Sequence, residues 1–71
     1  QEHLLFLAEI YFQKGVNYIY QNNYDEAQIN LIKAKELGYD VLKTLKNNSQ
    51  LDSVRPSPKF RAMCKPIEID R

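Results

Sequence analysis

Few side chains in this sequence are of a type that does chemistry. His3 is the only histidine and Cys64 the only cysteine, and they stand at opposite ends of 71 residues. A thiol nucleophile needs a neighbouring base and a third group that orients it; no such third residue is recognisable near either. One His and one Cys do not make a metal site, which needs several ligands at suitable spacing. Gly15 and Gly38 are isolated, so there is no glycine-rich phosphate cradle. Asp25 and Glu26 follow a polar break and read as first-turn acids at the positive end of a helix, not as an acid–base pair. Asp52 and Arg55 read as a turn cap with a local ion pair, and Cys64 as a buried or idle thiol beside Met63. Asn47-Asn48-Ser49 matches a glycosylation acceptor, a triplet that also arises by chance. The expectation is a non-enzyme with no cofactor and no metal.

Charge and hydropathy narrow the partners. The formal net charge is +1, whereas nucleic-acid binders usually show a clustered basic excess. Lys33, Lys35, Lys43 and Lys46 are interleaved with Glu36 and Asp40 and lie toward helix ends, where cations meet the negative end of the dipole. No nucleic acid is expected. The apolar stretch from Leu4 to Tyr20 contains Glu9, Gln13, Lys14 and Asn17, which rules it out as a membrane span. No basic region or small-residue cleavage site marks a signal peptide. A lone cysteine leaves the compartment open and leans toward a reducing cytosol. Gln1 is not a native start, so the chain is expected to be a processed product or an excerpt.

The elements that must carry any site read as all-α. A long helix is expected over about Glu2 to Gln21, with one stripe of Leu4, Ala8, Tyr11, Gly15 and Tyr18 and a second of Leu5, Phe12, Val16 and Ile19. Two adjacent apolar stripes require cover from two sides. Gln21-Asn22-Asn23 breaks the pattern, and Asn23 with Glu26 resembles a capping box for a second helix over about Tyr24 to Leu37. Its stripe is Ala27, Leu31 and Ala34; Ile29 and Ile32 face elsewhere and need a separate neighbour. Gly38 stops it. A third, short helix near Asp40 to Lys46 presents Val41, Leu42 and Leu45. Leu51 to Arg55 reads as one helical turn. Pro56 and Pro58 break the chain there, and Ser57-Pro58 starts a short helix around Lys59 to Met63. Lys65 to Arg71, with Pro66, Ile67 and Ile69, reads as an extended or disordered arm. The divisions are thus 1–46 for the helices, 47–64 for a closing segment and 65–71 for a tail.

Gly15, Tyr18, Asn23-Tyr24, Ala27, Leu31 and Ala34 stand in the register of the tetratricopeptide repeat, and Tyr11 to Tyr39 resembles one such repeat. The resemblance implies an antiparallel helical hairpin whose packing residues are Tyr11, Gly15, Tyr18, Ala27, Leu31 and Ala34. Lys14 replaces the usual Leu, Tyr11 replaces Trp, and Tyr39 stands where Pro often ends the repeat. No second copy follows: the continued register meets Ser49, Asp52 and Arg61. The stretch to about Met63 instead resembles the closing segment behind a last repeat.

In that family the first helix lines a concave groove, which implies a partner-binding groove of Glu9, Phe12, Gln13, Val16, Ile19 and Tyr20. Phe12 and Val16 occupy the places where a carboxylate clamp would need basic and amide side chains, so an amphipathic helix or an extended apolar peptide is the implied ligand. The alternative for Phe12, Val16 and Ile19 is packing on a neighbouring helix. A single repeat does not bury its own faces, which makes Leu4, Leu5, Phe6, Leu7 and Ile10 the expected docking surface. The implied function is a protein-interaction or assembly module, either the end of a larger array or a small docking subunit. Its partner would be a peptide, a neighbouring repeat or a subunit, with homodimerisation open. The alternative is an accessory segment of an enzyme whose catalytic domain lies outside these residues.

Overall fold

The computed structural model describes residues 2–69, with side chains from Leu4 to Ile69. Over these residues the chain is all-α, in the order α1 (Glu2–Tyr20), α2 (Tyr24–Glu36), α3 (Val41–Asn47), a 3-10 turn (Ser49–Leu51) and α4 (Pro58–Glu68). Helices α1 and α2 form a hairpin, α4 packs on α2, and α3 bridges α2 and α4.

The hairpin turn is made by three residues with successive duties. Asn22 adopts a left-handed conformation at φ 62°, which Asn tolerates better than most side chains. The Asn23 N–H then donates to the Tyr18 carbonyl (2.9 Å) and the Asn22 N–H to that of Ile19 (3.0 Å), closing the last turn of α1. Asn23 also opens α2, its side-chain oxygen accepting from the Glu26 N–H at 3.3 Å. At the other end of α2, Gly38 takes φ 104°. The N–H groups of Gly38 and Tyr39 reach back to Lys35 and Ala34, the two-bond pattern of a left-handed helix stop.

The hairpin closes tightly around Gly15. A β-carbon there would lie 2.6 Å from Leu31 Cδ2 and 3.3 Å from the Ala27 carbonyl oxygen. The core runs from Phe12, Val16 and Ile19 on α1 through Ala27, Leu31 and Ala34 on α2 to Val41, Leu45 and Leu51. Helix α4 completes it with Phe60, Met63, Cys64 and Ile67. These four follow i, i+3, i+4, i+7, one helix face.

That stripe corrects the expected C-terminal end. Helix α4 does not stop near Met63; it continues through Pro66 to Glu68, so Cys64 and Ile67 share one face. Pro66 forfeits one helical hydrogen bond, yet it lies on the exposed side. Lys35 of α2 donates through Nζ to the Ile67 carbonyl and, at 3.0 Å, to that of Ile69. Carbonyls left open at a helix C-terminus are thereby bonded to a cation. Gln28 adds a bond to the Met63 carbonyl at 3.1 Å. The rest of the expected arm, Asp70 and Arg71, lies outside the described residues.

Arg55 plays the matching part for α3. Its guanidinium donates to the carbonyls of Leu45 (2.6 Å) and Asn48 (2.9 Å) while pairing with Asp52. The linker between α3 and α4 is thus tied down at Arg55, with Leu51 buried beneath it.

Candidate interaction surfaces

Three of the six expected groove residues are not available to a ligand. Phe12, Val16 and Ile19 are buried in the core. The Phe12 ring lies against Tyr39, centroids 4.7 Å apart and planes tilted by 33°. The reason is the closing half of the chain: α3, the 3-10 turn and α4 contribute to the same core as the α1 stripe. Tyr39, which departs from the repeat pattern, is the residue that covers Phe12. Glu9, Gln13 and Tyr20 remain exposed. The Tyr20 hydroxyl donates to Gln50 Oε1 at 3.0 Å, joining the end of α1 to the 3-10 turn. Packing on a neighbouring helix, the alternative for Phe12, Val16 and Ile19, is what the structure has.

The hairpin residues sit where the two helices meet. Gly15, Ala27, Leu31 and Ala34 are buried, and Tyr11 and Tyr18 are half-buried. Two of the departures from the repeat pattern are coupled, since the Lys14 ammonium lies 5.8 Å from the centroid of the Tyr11 ring.

The expected docking residues are exposed. Leu4, Leu5, Phe6, Leu7 and Ile10 all lie open on α1, Phe6 at 65% and Leu5 at 55% of full exposure. Helix length accounts for part of this. Helix α1 has 19 residues and α2 has 13, so at about 1.5 Å per residue α1 is longer by roughly 9 Å. Leu4 precedes Ala8 by one turn and Leu5 precedes Phe12 by two, so both continue faces that are buried farther along. Phe6 and Ile10 lie on the opposite side with Gln13 and Asn17, bordering a shallow groove. From Leu4 to Ile10, α1 is apolar on every side but that of Glu9, a pattern that belongs to buried helices.

Two further depressions flank this helical frame. Tyr11, Ile29 and Ile32 line a shallow groove on the hairpin, and Ile29 is exposed there. The separate neighbour expected for Ile29 is not supplied by the described residues. Between α3 and α4 lies a groove of ≈ 340 Å³ with Leu42, Leu45, Phe60 and Cys64 in its lining. Lys46, Arg61 and Lys65 also line it. Nothing in the spacing of these residues along the chain announces that α3 and α4 bring them together.

Burial, with the Glu68 carboxylate as a lesser influence, pushes the Cys64 thiol up to about 11, so at neutral pH it is protonated and weakly nucleophilic. His3 lies outside the described side chains. Among the described residues, no group of three or more His, Cys, Asp or Glu is placed to hold a metal ion. No described helix is long and apolar enough to cross a membrane. No protein-family model, curated protein or solved structure matches the chain.

Proposed function

We propose that this chain is a protein-interaction or assembly module: a tetratricopeptide-like hairpin closed at its C-terminal side by α4, which docks through the start of α1. One observation carries the reading. Leu4, Leu5, Phe6, Leu7 and Ile10 are exposed together on one helix, while Ala8 and a contiguous core from Phe12 to Ile67 are fully packed. Apolar residues scattered singly on a surface need no explanation, but a contiguous patch marks an association site. The close approach at Gly15 supports the hairpin reading, because the repeat places small residues where two helices must touch. The module's role is to bring its partner into an assembly; the partner covers α1.

The test uses a photo-crosslinking amino acid at Phe6, Leu7 or Ile10 in the native host, with exposed Gln21, just past the far end of α1, as the control. The expected result is a discrete crosslinked protein from the apolar positions and none from Gln21. Its yield should collapse in a variant carrying Leu4→Ser and Leu5→Ser. Crosslinking no greater at the apolar positions than at Gln21 would reject the reading.

A further inference from the structure

The net charge of +1 conceals a strong polarity along the chain. Residues 1–40 carry Lys14, Lys33 and Lys35 against six carboxylates, a net of −3. Residues 41–69 carry six cations against only Asp52 and Glu68, a net of +4. The fold gathers part of the second half around the α3–α4 groove. Lys46 comes from α3, and Arg61 and Lys65, one turn apart, come from α4. All three are exposed. Among the described residues none of them forms an ion pair, the one recorded pair being Arg55 with Asp52. Arg55 borders the same groove but is already committed to Asp52 and to the carbonyls that end α3. Glu68 is the single carboxylate in the lining.

We propose that the α3–α4 groove is a second docking site, and that its occupant is an acidic amphipathic helical segment of a partner protein. The assignment rests on the module being an interaction protein and adds the chemistry of one partner. Leu45, Phe60 and Cys64 form the buried floor, and half-buried Leu42 with the aliphatic stems of Lys46, Arg61 and Lys65 takes the segment's apolar stripe. Lys46 on one helix and Arg61 with Lys65 on the other stand ready for carboxylates flanking that stripe. Carboxylates at i and i+4 on a bound helix are spaced as Arg61 and Lys65 are on α4. A nucleic acid would want stacking platforms along the cationic track, but Phe60, the one aromatic residue in the lining, is buried in the core. Charge complementarity of this kind sets partner choice and encounter rate more than raw affinity.

The probe is a fluorescein-labelled 18-residue peptide with Leu at i, i+3, i+4 and i+7, flanked by Glu. A scrambled peptide of identical composition and a single-stranded oligonucleotide serve as comparators. Anisotropy titrations at low and moderate salt are paired with amide chemical-shift mapping on the 71-residue protein. The amphipathic probe should bind at least tenfold tighter than the scrambled one, weaken with salt, and shift the amides of Leu42, Leu45, Phe60 and Cys64.

Three exposed charge pairs, each worth roughly a two- to fivefold change, should together make Lys46→Glu/Arg61→Glu/Lys65→Glu lose about tenfold or more in affinity. The variant Lys46→Gln/Arg61→Gln/Lys65→Gln should lose less, and it supplies the answer if the triple reversal unfolds. Equal binding of the scrambled peptide, shifts centred on α1, or tighter binding of the oligonucleotide would overturn the assignment. So would dimerisation of the protein alone that the triple reversal abolishes, since the groove would then belong to a second copy. Phe6 crosslinking is independent of these residues, so a silent groove with a crosslinking α1 would reject this site and leave the interaction reading standing.

Discussion

Gly15→Ala is the sharpest test of how the hairpin is held together. On an open helix the change would stabilise, because Ala exceeds Gly in helix propensity by roughly 0.8–1 kcal/mol. Here the added β-carbon would sit 2.6 Å from Leu31 Cδ2, 2.7 Å from Leu31 Cγ and 3.3 Å from the Ala27 carbonyl oxygen. Leu31 is fully buried, so it has no open space to swing into. The Ala27 contact is to backbone, so relief on that side means moving α2 itself. Overpacking of a filled core destabilises by about 1–3 kcal/mol, which outweighs the propensity gain. A net loss of about 1–2 kcal/mol is expected, lowering the melting temperature by roughly 4–8 °C per kcal/mol in a domain of this size. Urea titration followed by circular dichroism measures it. Leu31→Ala supplies the partner in a double-mutant cycle: alone it costs about 2–5 kcal/mol, but it removes the atoms that the new methyl group would strike. In that background Gly15→Ala should be neutral or stabilising, giving a coupling of at least about 1 kcal/mol. If Gly15→Ala stabilises the otherwise unchanged protein, the close helix approach is wrong.

Three other outcomes follow from particular contacts. Lys35→Met keeps the aliphatic stem but removes the donor to Ile67 and Ile69; hydrogen exchange should accelerate in the last turn of α4 while the hairpin stays protected, at a loss of about 1 kcal/mol. Arg55→Ala frees the carbonyls of Leu45 and Asn48 and should destabilise by about 1–2 kcal/mol, whereas Asp52→Asn, at the exposed end of its pair with half-buried Arg55, should change urea stability by less than about 0.5 kcal/mol. For Cys64 the native thiol is raised from 9.0 to about 11, so the folded state holds its proton longer than the unfolded chain does. That contribution to stability is complete below about pH 9 and is lost as pH rises toward 11. Alkaline unfolding of the native protein should therefore be steeper than that of Cys64→Ala over this window, and a flat difference would refute it.

Much of the local structure is legible in the sequence because local rules decide it. The Ala27–Leu31–Ala34 stripe, the Asn23 cap and the Gly38 stop are short-range matters of spacing and backbone conformation. The exposed start of α1 is legible too, since too many apolar residues surround one helix. The departures have a common cause, which is the reach of contacts across the chain. Pro66 and the polar tail residues argue for an end near Met63, yet the Phe60–Met63–Cys64–Ile67 stripe and Lys35, 34 residues before Ile69, hold the helix to Glu68. Similarly, Phe12, Val16 and Ile19 form a stripe whether a ligand or the chain itself covers them. Only the return of Tyr39, α3 and α4 decides between the two. The left-handed Asn22 is legible in principle, as an Asn in a three-residue turn between helices.

The two sides of the molecule differ in how completely they are closed. An α-helical repeat leaves one face open at each end, and an end that stays in water needs a polar outer surface. Helix α4 meets that condition. Its inner stripe is buried, and its outward residues are Lys59, Arg61, Ala62, Lys65, Pro66 and Glu68. Helix α1 does the opposite: Phe6, Leu7 and Ile10 point away from the core with Glu9 as the sole charge among them. The closing helix therefore completes one side, and the apolar start of α1 leaves the other incomplete. A charged rim on the α3–α4 groove suits a partner that arrives and leaves, because exposed ion pairs are weak and salt-sensitive. An apolar helix suits a contact that excludes water and persists. If the module makes both contacts, salt should strip the groove partner first and leave the α1 partner bound.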